Sequence, residues 1–173
     1  MTTPETPQLR PHRLKVALLQ PQIAPNTGNI ARACVATGTE LHLVRPMGFV
    51  LSDKNLRRSA MDYWAQLRLT VHDDSASFFE FASRDGAGLW LFSTRGNRSL
   101  WDTKFTDGDF LVFGSETAGI AETILAAHPG RVVRIPQQPG QRCLNLSAAA
   151  AVGLFEALRQ IQSGTMPRFA EGR

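Results

Sequence analysis

The chain is poor in the residues that build covalent or metallic scaffolds. It has two cysteines in 173 residues, Cys34 and Cys143, and they form no CxxC pair. Its four histidines, His12, His42, His72 and His128, are scattered without the short spacings of a zinc site. Neither a disulfide framework nor a bound metal is expected. No run of 18 apolar residues occurs, so no membrane span is expected either. The first residues are polar and punctuated by Pro4, Pro7 and Pro11, without the apolar core of a secretory signal. These absences imply a soluble protein in a reducing, cytoplasmic setting.

Two common glycine motifs are missing as well. Gly114 to Gly119 has the G-x4-G spacing of a phosphate loop, but Ile120 stands where lysine is needed and Ala121 where Ser or Thr would hold magnesium. No G-x-G-x-x-G follows the first apolar run, Val16–Leu19. ATP hydrolysis and Rossmann-type dinucleotide binding are thereby disfavoured.

What remains is the composition of an ordinary globular chain, 43% hydrophobic and 20% charged, which is enough apolar material for one domain with a sizeable core. The net charge is +4, from 19 Lys+Arg against 15 Asp+Glu, a mild lean toward a polyanionic partner. Residues 1–13 read as a disordered leader, 14–162 as a single folded domain and 163–173 as a tail.

Short apolar runs of buried-strand type occur at Val16–Leu19, Leu41–Val44, Leu89–Phe92, Phe110–Phe113 and Val132–Ile135. Helical patterns lie between them. Asn26 or Thr27 can cap a helix running to Thr37, with Gly38 just past its end, where a left-handed residue is favoured. Lys54–Ala60, Ala76–Ser83 and Ile120–Ala127 are further helices. The closing helix runs from about Asn145 to Gln162, with Leu146, Ala150, Leu154, Leu158 and Ile161 at helical spacing as its buried stripe. Strands alternating with helices indicate an α/β layer fold with a mostly parallel sheet.

Three segments at the ends of apolar runs stand out. They are Pro25-Asn26-Thr27-Gly28-Asn29-Ile30-Ala31-Arg32, Phe113-Gly114-Ser115-Glu116-Thr117-Ala118-Gly119-Ile120, and the stretch from Ile135-Pro136 through Arg142-Cys143-Leu144-Asn145-Leu146-Ser147. Ligands of open α/β sheets bind beyond the carboxyl ends of strands, and Phe92, Gly114 and Ile135 sit at three such ends. The loop Gln137–Leu144 can cover the same place. Asn29 and Arg32, three apart, share a helix face on which an anionic or hydroxylated substrate can be held.

Each residue also has a plainer reading. Arg32, Arg57 and Arg58 suit a solvated face. Glu116 suits a helix start, Asn145 an N-cap, and Cys143 a small buried hydrophobe. Tyr63, Trp64, Trp90 and Trp101 suit a core or an interface.

Taken in order, the segments resemble the three motifs of the SPOUT methyltransferases, specifically the SpoU-type RNA ribose 2′-O-methyltransferases. Arg45-Pro46-Met47-Gly48-Phe49 and Leu56-Arg57-Arg58-Ser59-Ala60-Met61-Asp62-Tyr63 add to the match, which covers roughly residues 14 to 162. It is closest to the minimal subfamily that methylates the wobble nucleotide of certain leucine tRNAs. The large N-terminal RNA-binding domain of several ribosomal-RNA relatives is not seen before the core, which favours that subfamily. The resemblance implies a C-terminal deep trefoil knot, an obligate homodimer whose substrate site is completed across subunits, and S-adenosylmethionine as cofactor. Cofactor contacts would fall on Phe92, Gly114, Ile135 and Cys143, largely through main chain. The catalytic arginine corresponds to Arg32, with Glu116 and Asn145 as companions, and tRNA would meet Asn29, Lys54, Arg57 and Arg58. Ala118, Cys143 and Ala148 depart from the residues frequent in relatives, which are Arg, Ser and Asn. The alternatives are a ribosomal-RNA 2′-O-methyltransferase and a non-catalytic RNA-binding protein of the same fold. A small-molecule methyltransferase is disfavoured by the basic segment Lys54–Arg58.

Overall fold

A computed structural model describes residues 9–51 and 61–163. Lys54, Arg57 and Arg58, with the helix expected over Lys54–Ala60, lie outside the described residues. Among those described, the strands are β1 (Lys15–Leu19), β2 (Glu40–Val44), β3 (Leu69–His72), β4 (Leu89–Phe92), β5 (Arg98–Ser99), β6 (Phe110–Phe113) and β7 (Val132–Arg134). They form one sheet in the order β3-β2-β1-β6-β4-β7-β5, with every pair parallel. The helices are α1 (Ala24–Thr37), α2 (Ser75–Arg84), α3 (Glu122–Ala127) and α4 (Leu146–Ile161).

The alternation of side chains along each strand builds two cores. Val16, Leu18, Leu41, Leu43, Trp90, Phe92, Leu111 and Phe113 face α1 and α4. Ala17, Leu19, Val44, Leu91, Phe110 and Val112 face the other layer, with Phe78 and Ala82 of α2 and Leu125 of α3. A parallel sheet must be covered on both sides, and so its strands read as continuous apolar runs. On α4 the expected stripe is buried at Leu146, Ala150, Leu154 and Leu158, and Ile161 packs at its margin. Gly153 lets this helix come down on the sheet, since a Cβ there would lie 2.8 Å from the Phe92 ring. No helix among the described residues is long and apolar enough to cross a membrane.

Several elements differ from expectation. β3 and β5 carry too few apolar residues to stand out: β3 is LTVH and β5 only two residues. α1 starts earlier than a cap at Asn26 or Thr27 would allow. Its N-cap is Ile23, with no side-chain cap of its own, and Pro25 occupies the first turn. Its end is as expected, with Gly38 in the left-handed region at φ 72°. Within the expected leader, Leu9 packs on the core and the backbone of Arg10 exchanges hydrogen bonds with the Gln162 side chain at 3.1 and 3.0 Å.

The order of the sheet places the site. From β1 the chain moves outward to β2 and β3, then crosses to the opposite side for β4, β5, β6 and β7. The direction therefore reverses between β1 and β6, where a crevice forms outside the strand ends.

Candidate active site

At that crevice the loop after β1 meets the loop after β6. Gly114, the first residue beyond β6, is required by close approach rather than by an unusual φ. A Cβ on it would lie 2.0 Å from the carbonyl carbon of Gly119 and 2.3 Å from the amide nitrogen of Ile120. The segment 115–119 curls back on itself, with Gly119 donating its N–H to the Ser115 carbonyl at 2.9 Å and adopting φ 66°.

This curl carries Glu116 to the start of α1. The carboxylate accepts the Gln22 N–H at 2.8 Å and the Ile23 N–H at 3.3 Å. The helix thus takes its N-terminal anion from a loop 90 residues away in sequence, and its dipole favours the negative charge. The backbone offering those donors is braced from behind. Gly48 donates its N–H to the Pro21 carbonyl at 3.0 Å, and a Cβ at Gly48 would lie 2.6 Å from the Gln22 carbonyl oxygen.

Asn26 joins the pieces. It is 7% exposed, donates from Nδ2 to Glu116 Oε1 at 3.0 Å, and accepts at Oδ1 from Asn145 Nδ2 at 3.0 Å. Asn145 turns its own Oδ1 to the Ser147 N–H at 2.9 Å, capping α4. All three sequence motifs therefore close into one hydrogen-bonded chain, Glu116–Asn26–Asn145. Asn26 was the residue that sequence reasoning underrated: its amide is committed to Glu116 and Asn145 and does not cap α1. Glu116 likewise serves the start of α1 rather than a helix beginning at its own loop.

Beside this chain lies a cavity of about 540 Å³. Phe92, Gly114, Ile135 and Cys143 all line it, as do Asn26, Glu116 and Asn145. Cys143 is exposed on the loop over the cavity, not buried as a small hydrophobe, because the segment 137–145 crosses the strand ends instead of entering the core. Burial pushes the thiol of Cys34, deep in the core, up to about 12, which leaves it inert. Arg95, unremarked in the sequence, brings a cation to the cavity wall. Its guanidinium donates to Glu122 Oε2 at 2.5 Å and to the Ile120 carbonyl at 2.7 Å. No three His, Cys, Asp or Glu side chains gather as a metal site among the described residues.

Arg32 is not brought to the cavity. It lies exposed on α1, six residues beyond Asn26 and so about 9 Å further along the axis and on a different face. Its guanidinium stands over the Tyr63 ring, 5.2 Å from the centroid, and Asn29 is exposed one turn before it. Within one chain, then, the expected trio separates: Glu116 and Asn145 share the cavity, and Arg32 faces outward. Trp90 is buried, as expected, whereas Trp101 is 75% exposed.

The pattern of the SpoU rRNA Methylase family matches residues 13–155. A Burkholderia pseudomallei protein named tRNA (cytidine(34)-2′-O)-methyltransferase is 44% identical over 146 residues, covering 84% of this chain and 94% of its own. A solved structure described as giving insight into the 2-OH methylation of C/U34 on tRNA is 44% identical, with a TM-score of 0.83, over 87% of this chain and 97% of that one. The SpoU methyltransferase AviRb from Streptomyces viridochromogenes, solved with the cofactor AdoMet, superposes at a TM-score of 0.78 and 25% identity, over 90% of this chain and 60% of that one.

Proposed function

Because the chain belongs to the SpoU rRNA Methylase family, we propose that it moves a methyl group from S-adenosylmethionine to the ribose 2′-hydroxyl of nucleotide 34, cytidine or uridine, in tRNA. The observation that carries tRNA over ribosomal RNA is the 44% identity to a named tRNA (cytidine(34)-2′-O)-methyltransferase along 94% of that protein's length. The integrity of the Glu116–Asn26–Asn145 chain favours an enzyme over a scaffold that has lost its chemistry.

The cavity suits the cofactor. Its volume is within the usual range for small-molecule sites, and Gly114, Ile135, Phe92 and Cys143 line it. The 115–119 curl fills the space that a side chain at 114 would need, so the loop edge presents backbone to the ligand. When bound, S-adenosylmethionine supplies an electrophilic methyl group on a sulfonium.

The residues supply orientation and charge stabilisation. Asn145 and Asn26 fix the loop edges on either side of the cavity, and Glu116 holds the start of α1. Arg32 carries donors but no acceptor, so it holds an RNA phosphate and stabilises negative charge developing at O2′. Asn29 sits beside it, and Lys54, Arg57 and Arg58 extend the phosphate contact.

An outward-facing Arg32 acts in a homodimer, reaching the cavity of the partner subunit. The outer face of α4 supports this, since Ala148, Val152 and Phe155 are exposed on it at helical spacing, with Phe155 56% exposed. In this reading α1 and α4 form the interface, and a sedimentation mass near 19 kDa at micromolar concentration would contradict it.

The domain spans 14–162, with Leu9 and Arg10 packed against it, and its C-terminal third is threaded as a trefoil knot. The tight passage of Gly96 against β7, where a Cβ would lie 2.8 Å from the Val133 carbonyl carbon, is consistent with that threading. Leucine isoacceptors in the cytoplasm are the substrate. Mass spectrometry of tRNA nucleosides from cells with and without the protein tests the whole reading. Loss of 2′-O-methylcytidine or 2′-O-methyluridine from the leucine tRNAs is expected, and unchanged tRNA would refute it.

A further inference from the structure

The arginines of the described residues differ in what holds them. Arg13, Arg45, Arg84, Arg95 and Arg159 each have a carboxylate partner. Arg32, Arg98 and Arg131 have no carboxylate partner among the described residues, and each is held on an aromatic ring. Two of these share a single ring. Arg131, just before β7, places Cζ 4.7 Å from the centroid of Trp90, and Arg98, at the start of β5, places Cζ at 5.8 Å. The register explains the convergence. Val133 pairs with both Phe92 and Arg98, so Arg98 shares its side of the sheet, as does Arg131 two residues before it. Trp90 cannot turn away, because its Nε1 donates to buried Asp109 at 2.8 Å.

Two like charges on one ring, both exposed and neither neutralised, form an arrangement completed by an anion. The ring fixes the planar guanidinium groups while leaving their N–H donors free, which suits a phosphodiester better than a flexible lysine would. Trp101, 75% exposed on the short 3-10 turn directly after β5, adds a bare aromatic face next to them. The patch lies at the β5 edge of the sheet, opposite the β3 edge, and toward the amino ends of the strands, where Arg131 precedes β7 and the Trp90 partner Asp109 precedes β6.

We propose that Arg98 and Arg131, stacked on Trp90, form a second phosphate-binding site for the tRNA body, with Trp101 as a stacking platform for an unpaired base. The site takes backbone phosphates of the same tRNA whose ribose is modified. It therefore rests on the tRNA reading above, and it adds a contact at the β5 edge of the sheet.

The test uses the full-length protein with both arginines replaced, Arg98→Ala with Arg131→Ala, and separately Trp101→Ala. Methyl transfer from labelled S-adenosylmethionine to full-length tRNA is followed over a range of salt, with kcat and KM separated, cofactor affinity measured by calorimetry and mass by sedimentation. The double variant is expected to raise KM for tRNA about tenfold, with kcat and cofactor affinity unchanged. The slope of log kcat/KM against log salt should flatten by roughly 1.4 to 1.8, the loss of two phosphate contacts. Trp101→Ala should raise KM without altering that slope. Because the double variant also removes packing from Trp90, Arg98→Lys with Arg131→Lys serves as the control, and it should recover most of the salt slope. A wild-type KM and slope in the double variant overturns the proposal, and so does a loss of activity that tracks dissociation of the protein into monomers. Failure of the tRNA reading itself is separately visible, since wild-type protein would then methylate no tRNA at any salt.

Discussion

The Glu116–Asn26–Asn145 chain and the His42–His72 pair are both hydrogen-bonded polar clusters, but they are assembled differently. The first draws on loops and helix starts 90 to 119 residues apart and opens onto a cavity. The second comes from adjacent strands, with His42 Nδ1 2.9 Å from His72 Nε2, and is shut in by Phe78, Phe81 and Phe110. His42 Nε2 lies 3.2 Å from Glu40 Oε1 yet outside hydrogen-bonding alignment. Burial pushes His42 down to about 4, against the pull of Glu40 and with help from His72 and Lys15; Asp85 opposes weakly. Burial also lowers His72, against Asp73 and Glu40. One cluster keeps its groups facing a ligand-sized space, whereas the other keeps its groups neutral in an aromatic box. Titratable residues alone would have pointed to the histidines; open space and satisfied long-range bonds point to the amides.

The sharpest way to break this contrast is at Gly114. Gly114→Val forces a side chain into the backbone of Gly119–Ile120 and should abolish S-adenosylmethionine binding by calorimetry. The His42–His72 box, on the other side of β1, should retain its near-ultraviolet signature. Unchanged affinity in a folded variant would remove the cofactor from this cavity.

Next in size is Arg32. Arg32→Ala should lower methyl transfer about 10²- to 10³-fold, as for removal of a charge-stabilising donor, with cofactor affinity nearly intact. Arg32→Lys should restore little of it. Mixing Arg32→Ala protein with Gly114→Val protein should recover activity, because one shared site then has an intact cavity and an intact arginine. Mixed dimers as inactive as their parents would place Arg32 in its own chain's site.

Asn26→Ala should have a smaller effect, cutting kcat about tenfold while lowering stability by about 1–3 kcal/mol, since it leaves Asn145 Nδ2 and Glu116 short of partners. A variant with wild-type kcat would reduce Asn26 to a packing residue.

The histidine pair yields the gentlest effect and no change in chemistry. A pKa lowered in the folded state means that the unfolded chain binds the extra proton. The stability from keeping His42 neutral is complete above its unfolded value of 6.5 and is lost as pH falls toward about 4. In that window the unfolding free energy from urea titrations should fall by about 1.4 kcal/mol per pH unit for each proton involved. His42→Phe should flatten the slope, and an unaltered slope would mean that other groups carry it.

Much of the fold was legible because buried parallel strands announce themselves as apolar runs, as Val16–Leu19 and Phe110–Phe113 do. β3 and β5 were silent: Thr70 and His72 break the run in one, and two residues carry no pattern in the other. The three motif segments could be read as one site because glycine and proline punctuate them. The role of Asn26 could not, because an asparagine near a helix start has the same local signature whether it caps its own helix or reaches a distant carboxylate. The outward position of Arg32 follows from the helical spacing that sets it beside Asn29, whereas the exposure of Cys143 depends on how the segment 137–145 crosses the strand ends, which no local spacing encodes. Arg98 and Arg131 were invisible for a related reason, as only strand register puts residues 33 apart on one ring.

Methyl mapping tests the central claim most directly. Purified protein is incubated with labelled S-adenosylmethionine and total cellular RNA, and the label is located by nuclease digestion and mass spectrometry. The account predicts label on the ribose of nucleotide 34 of tRNA, absent with Arg32→Ala. Label confined to ribosomal RNA, or carried on a base rather than a ribose, would contradict it.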